Sequence, residues 1–153
     1  MNTKKKLAYL HYLHNFVTQE RQKKIKEIIP QRTRHITVVL EDLAQSQNTA
    51  AIMRTCEAMG LQDMYAIELG KTIDVKSNVA RGAVQWMDLY RYQSHSYKNP
   101  TLSCITDLQH KGYVVVATSP HATKMLSELP IDKKIAFVFG TEATGLTDHA
   151  LAA

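Results

Sequence analysis

Long apolar runs are missing from this 153-residue chain. None approaches the ~20 residues that a membrane-spanning helix needs. The amino terminus opens Met1-Asn2-Thr3-Lys4-Lys5-Lys6 and no uninterrupted apolar segment follows, so a secretory signal is not expected. Cysteine is scarce. Cys56 and Cys104 lack metal-like spacing and read as reduced thiols of a cytoplasmic protein, with no metal site expected. No internal repeat or low-complexity tract is present. What remains is an ordinary balance of apolar and charged residues, enough for one domain with a real core.

The net charge of +5 is unevenly distributed. Residues 1–35 hold nine Lys or Arg against two Glu, and the rest of the chain is slightly acidic. A localised basic element is what a polyanion partner requires. A solvated helix face that merely aids solubility has the same charge count.

Residues 4–29 read as helical, because Leu7, Leu10, Leu13, Phe16 and Val17 recur at helical spacing and Ile25, Ile28 and Ile29 continue them. One long helix or two short ones fit the pattern, and Pro30 stops it. The stripe beside a basic face suggests a helix that packs on a body and shows its lysines to a partner. From His35 onward, strands alternate with helices. "HITVVLE", "DMYAIEL", "WMDLYRY", "YVVVATS" and "KIAFVFG" read as strands. "NTAAIMRTCEAMG" reads as a helix, with Asn48 as N-cap and Gly60 as its stop. "TLSCITDLQHKG" is a helix ended by Gly112, "LSELP" a short turn or helix, and "TDHALAA" a helix capped by Thr147. A polar stretch covers 71–85. This alternation predicts an α/β domain with a mainly parallel sheet flanked by helices, behind an N-terminal helical extension.

In such sheets ligands bind beyond the carboxyl ends of the strands. The loops after Glu41, Thr118 and Phe139 therefore form one candidate site. The first, "DLAQSQN", opens the helix carrying Arg54. Asn48 and Arg54 are six residues apart, which is not a same-face spacing, and Arg54 could pair with Glu57 on the helix surface. The second, "ATSPHAT", offers the hydroxyls of Thr118 and Ser119 and a histidine, His121. An ordinary turn would look the same. The third lies in "FVFGTEATG", where Glu142 stands between Gly140 and Gly145. Gly140 allows close backbone approach to a ligand and Gly145 can take a positive φ. The stretch is neither a P-loop nor a dinucleotide fingerprint.

Taken together, "NTAAIMRTCEAMG" and "FVFGTEATGL", with "VVVAT" between them, resemble the first and second motifs of the SpoU-type RNA 2′-O-methyltransferases. The resemblance covers most of residues 32–153. "RTRHITVVLEDLAQSQN" is most similar to the TrmH-type tRNA guanosine-2′-O-methyltransferases, whose basic helical extension residues 1–34 also resemble. The resemblance implies a SPOUT fold with a C-terminal trefoil knot, an exception to the rule that chains do not thread. It implies S-adenosylmethionine as cofactor, tRNA as partner and a homodimer. The expected reaction is methyl transfer to a ribose 2′-hydroxyl, at guanosine 18 of the tRNA D-loop. Two domains follow: 1–34 as RNA-binding extension and 35–153 as methyltransferase domain.

By motif position, Arg54, Asn48 and Glu142 would be catalytic, and Thr118, Gly140 and Phe139 would bind the cofactor. Lys4, Lys5, Lys6, Arg21, Lys23, Lys24, Arg32 and Arg34 would contact RNA. A 2′-hydroxyl needs its proton removed and a methyl donor held in line. Arginine is normally always protonated, so it acts as a base only where neighbours disfavour its charge. Otherwise it stabilises a developing alkoxide or a phosphate. The family's third motif, with its Ser and Asn, has no counterpart before Ala153. The expectation is that the natural protein continues beyond this point, and that these 153 residues alone bind the cofactor poorly. Ribosomal RNA as substrate, and a non-catalytic RNA-binding fragment, are the alternatives.

Overall fold

In the computed structural model, residues 2–43, 46–70, 72 and 82–153 are described. Most of the polar stretch 71–85, and Ala44 and Gln45 of the first loop, lie outside them. The chain divides into two compact units, Met1–Arg32 and Thr33–Ala153.

The first unit holds two helices, α1 (Thr3–His14) and α2 (Gln19–Ile28), and a 3-10 turn at Ile29–Gln31. Local hydrogen bonding decides for two helices over one. Asn2 caps α1 by accepting from the Lys5 N–H at 3.0 Å, and Thr18 starts α2 by accepting from the Arg21 N–H at 3.3 Å. Between the helices, the Gln22 side-chain amide donates to the carbonyls of His14 and Val17, both at 2.9 Å. Neither helix buries a residue, and Leu7, Leu10 and Phe16 are all exposed. The expected apolar stripe is not covered within this unit.

The second unit is a five-stranded sheet flanked by helices. Its strands are β1 (Ile36–Glu41), β2 (Asp63–Glu68), β3 (Asp88–Gln93), β4 (Tyr113–Ala117) and β5 (Lys134–Phe139). They lie in the order β3-β2-β1-β5-β4, and every pairing is parallel. The helices are α3 (Ser46–Ala58), α4 (Pro100–His110) and α5 (Asp148–Ala152). Side-chain alternation along the strands divides the core in two. Val38, Leu40, Met64 and Ala66 pack with Met53 and Cys56 of α3. Val39, Tyr65, Ile67, Ala136 and Val138 pack with Cys104 and Leu108 of α4. Both faces are covered over the central strands, which explains why β1 and β2 read as near-continuous apolar runs.

Two boundaries differ from the sequence expectation. Helix α3 begins at Ser46, so Asn48 is its third residue and not its N-cap. The side-chain preference that marks caps also suits a helix's first turn. Strand β3 begins at Asp88, because Trp86 closes a 3-10 turn at Ala83–Gln85 and Met87 fills the α3-side core. Gly60 does end α3. With φ of 78° it lets the Leu61 N–H reach the Cys56 carbonyl at 2.9 Å and its own N–H reach that of Glu57 at 2.9 Å. Gly112 has φ of 82° just after α4. Thr147 caps α5, accepting from the Ala150 N–H at 3.3 Å.

The amino ends of the strands are cross-linked by Arg34. Its guanidinium bonds Asp63, and Asp88 at 2.8 Å. Its carbonyl accepts the Tyr113 hydroxyl at 2.7 Å. This end is a scaffold, which leaves the carboxyl end for chemistry.

Candidate active site

The chain runs outward from β1 through β2 to β3, then crosses to the far side for β4 and β5. The direction of winding reverses between β1 and β5, where doubly wound sheets usually hold a ligand. Here the chain occupies that position itself. Glu41 ends β1 with 1% exposure, and its carboxylate accepts bonds from α4 and from the cap of α5. The open space lies one strand over. A cleft of about 600 Å³ is bounded by Thr118–His121 after β4, Phe139–Leu146 after β5, and Leu151 of α5. That volume suits a nucleoside-sized ligand.

The loop after β5 is closed on itself. Thr141 and Gly145 exchange backbone hydrogen bonds at 3.1 and 3.0 Å. The Thr141 hydroxyl accepts from the Thr144 N–H at 3.1 Å and shares a 2.7 Å bond with the Thr144 hydroxyl. This folds Glu142 and Ala143 into an exposed tip. The closure also explains Gly140. A Cβ there would lie 2.2 Å from the carbonyl of Gly145 and 2.5 Å from the nitrogen of Leu146. What approaches this glycine is the chain's own backbone. Gly145 takes the positive φ, at 71°.

On the opposite wall, the N–H and hydroxyl of Thr118 both donate to the Val138 carbonyl, at 3.0 and 2.9 Å, extending the β4–β5 ladder. Ser119 accepts from the His121 N–H at 3.2 Å in a local turn. Among the described residues, Glu142 is the one acidic side chain lining the cleft, and Phe139 contributes a partly exposed ring.

The structure thus brings together Thr118, Phe139, Gly140 and Glu142. Asn48 and Arg54 are not among the cleft's lining residues. Arg54 is exposed on α3, and among the described residues it forms no hydrogen bond or ion pair, so the surface pair with Glu57 is not made. Lys4, Lys5 and Lys6 are exposed in the first turn of α1, and Lys23 and Lys24 are exposed on α2. Arg21 and Arg32 each engage another group, and Arg34 is held by its two aspartates.

Both thiols are buried, and burial raises their pKa, most strongly at Cys104, which disfavours the thiolate form. Among the described residues, no three His, Cys, Asp or Glu side chains converge as a metal site would require, and no helix is long and apolar enough to cross a membrane. Glu41, which ties the end of β1 to the residue following the cleft segment, is a contact that sequence reasoning missed. Its partners, Thr101 and Thr147, lie 60 and 106 positions away, so no local pattern could have marked it.

Residues 35–153 match the profile of the SpoU rRNA Methylase family. Over 148 residues the chain is 37% identical to a tRNA (guanosine(18)-2′-O)-methyltransferase of Borreliella burgdorferi, spanning 96% of this chain and 65% of that protein. It is 28% identical to the enzyme of the same name from Thermus thermophilus, over 88% of this chain and 67% of the relative. In fold it is similar to the TrmH/SpoU tRNA modifying enzyme of A. aeolicus, with a TM-score of 0.74, 21% identity, and coverage of 88% of this chain and 66% of the other. It is also similar to the SpoU methyltransferase AviRb of Streptomyces viridochromogenes in complex with AdoMet, with a TM-score of 0.63, 19% identity, and coverage of 82% and 48%.

Proposed function

The chain belongs to the SpoU rRNA methylase family, and from that premise we propose that it forms part of an S-adenosylmethionine-dependent methyltransferase that modifies the ribose 2′-hydroxyl of guanosine 18 in tRNA. The observation that carries this reading is the 37% identity, over 96% of the chain, to a relative named for that reaction. The chain spans about two thirds of that relative's length, so the activity is proposed for the full-length protein.

The cleft fits such a cofactor by size and by the chemistry of its walls. The Phe139 ring and Leu151 offer apolar contact, the Thr118 and Gly140 backbones supply a close-fitting edge, and Glu142 places negative charge at the rim. When bound, S-adenosylmethionine supplies an electrophilic methyl group on a positively charged sulfur. Glu142 complements that positive charge, and the tight Thr141–Gly145 closure holds its backbone in place. Arg54, unengaged by described neighbours, is available to bind a phosphate or stabilise the developing ribose alkoxide. Asn48, in the first turn of α3, is the motif partner of Arg54 in this reading. Lys4, Lys5, Lys6, Lys23 and Lys24, with Arg21, Arg32 and Arg34 as further candidates, hold the RNA backbone. The knot, the homodimer and a cytoplasmic location belong to the same reading.

Methyl-labelled S-adenosylmethionine and full-length protein test it. Label should enter a tRNA transcript with guanosine at position 18 and not one with 2′-deoxyguanosine there. Label entering ribosomal RNA instead would replace tRNA as the substrate. No transfer to either RNA, with cofactor bound, would leave only a binding role.

A further inference from the structure

Glu41 is a buried carboxylate to which the proposed chemistry assigns no task. Its Oε1 accepts from the Thr101 hydroxyl at 2.6 Å and the Thr147 hydroxyl at 2.8 Å, and its Oε2 accepts from the Thr147 N–H at 2.9 Å. The Thr147 hydroxyl already accepts from the Ala150 N–H, so its own proton is committed to the carboxylate. Among the described residues, no Lys, Arg or His pairs with Glu41. Burying a carboxylate without a cation is unfavourable unless donors converge on it. Here they do, and the first turn of α4, which carries Thr101, adds the positive end of a helix dipole.

The location of these donors gives Glu41 a role. Thr147 follows directly on the cleft segment Gly140–Leu146, which is anchored at its entry by the β1–β5 ladder. Within the segment, the backbone bonds run only between Thr141 and Gly145. At its exit, the side-chain partner holding it to the sheet is Glu41. The same residue ends β1 and begins the connection to α3, which carries Asn48 and Arg54.

We propose that Glu41 is a positioning residue: through Thr147 it fixes the exit of the 140–146 segment against β1, and so sets the cleft wall that carries Glu142. An acceptor-only group suits three donors, whereas Gln would turn its amide N–H groups toward at least one of them. The value of this placement for cofactor binding rests on the reading of the cleft given above.

Two measurements on full-length protein decide it. The first is amide hydrogen exchange in Glu41→Gln. Exchange at Gly145, Thr147 and Ala150 should quicken about tenfold, as expected when one hydrogen bond to a charged group is removed, while Val39 and Val138 in the central ladder stay protected. Equal quickening throughout the sheet, or none at the three loop amides, overturns the proposal. The second is calorimetric titration with S-adenosylmethionine. Glu41→Gln and Thr147→Val should each weaken binding severalfold, the double variant should be no worse than the worse single one, and Thr147→Ser should restore it. Loosened loop amides with unchanged cofactor affinity would overturn the positioning role. If the wild-type protein binds no S-adenosylmethionine, the cofactor reading fails while the exchange result still decides the clamp. Should Glu41→Gln not fold, Thr147→Val provides both readouts with the carboxylate intact.

Discussion

The two units of this chain are built by opposite rules. The residues up to Arg32 form two capped helices that bury no side chain, and they carry the chain's excess of positive charge. The residues from Thr33 onward bury two apolar clusters, one on each face of a parallel sheet, and hold their loops with side-chain hydrogen bonds. A unit without buried side chains cannot position a reacting group to a fraction of an ångström, but it can present charge. Lys4, Lys5 and Lys6 make the point. They sit at the positive end of the α1 dipole, where helix physics disfavours cations, and no acidic residue occupies that turn. Their placement is understandable if the charge serves a partner. The second unit is suited to geometry, and its sensitivity should lie in distances.

The largest expected effect belongs to the second unit. Arg54→Ala should lower methyl transfer by ~100-fold or more, the amount a positioned proton-transfer or charge-stabilising group contributes. Thermal stability should change by no more than about 0.5 kcal/mol, because Arg54 bonds no described residue. A near-normal rate in a labelled-methyl assay would break the contrast between a unit for chemistry and a unit for affinity. Next comes Gly140→Ala. The added methyl collides with the Gly145 backbone, and denaturant unfolding should show a destabilisation of about 1–3 kcal/mol, as overpacking does. An unchanged midpoint would mean that the loop is looser than its hydrogen bonds indicate.

In the first unit, replacing Lys4, Lys5 and Lys6 with Ala should weaken tRNA binding about tenfold. The log–log salt slope should fall by ~0.7 for each phosphate that the lysines no longer neutralise. Rate at saturating RNA should not move, and α1 should become no less stable, since cations leave the positive end of its dipole. A lower rate at saturation would give α1 a positional role and erase the distinction. The last effect is alkaline and is silent near neutral pH. Burial pushes the Tyr65 hydroxyl from 10.0 up to about 12, so the folded protein holds a proton that the unfolded chain releases earlier. That contribution is complete below pH 10 and is lost as the pH rises toward 12. Circular dichroism should show the sheet weakening in this window. An unfolding midpoint independent of pH there would mean that Tyr65 ionises as readily in the folded protein as in the unfolded chain.

Much of this was legible in local sequence, for physical reasons that also mark its limits. The strands through Val38–Leu40 and Val114–Val116 were readable because β-branched runs between turn residues have few other uses. The loops after Thr118 and Phe139 could be brought together because parallel strands put their carboxyl ends on one side. Other features depend on partners distant in the chain. Arg34 reads as one more cation of a basic segment until Asp63 and Asp88 are found beside it. Gly140 reads as a place for close ligand approach, and the space its missing side chain leaves is filled by the backbone of Gly145. Asn48 has the chemistry of a cap, yet α3 starts two residues earlier. In each case the residue type was informative and the neighbour that determined its role was not adjacent.

The strand order also bears on how the molecule comes into being. Strands β1, β2 and β3 are made consecutively and pair with one another, so this half of the sheet can assemble while synthesis continues. On its other side β1 must wait for β5, since Ile36 pairs with Ile135 nearly a hundred residues later. Closing so long a loop is entropically unfavourable and slow. Until then the nascent chain exposes the open backbone edge of a central, apolar strand, a hazard for association with other chains. When β5 arrives it must enter between β1 and β4, and the loops that line the cleft take their places only with that entry. Any ligand binding at the cleft of newly made protein should therefore lag behind the appearance of its secondary structure.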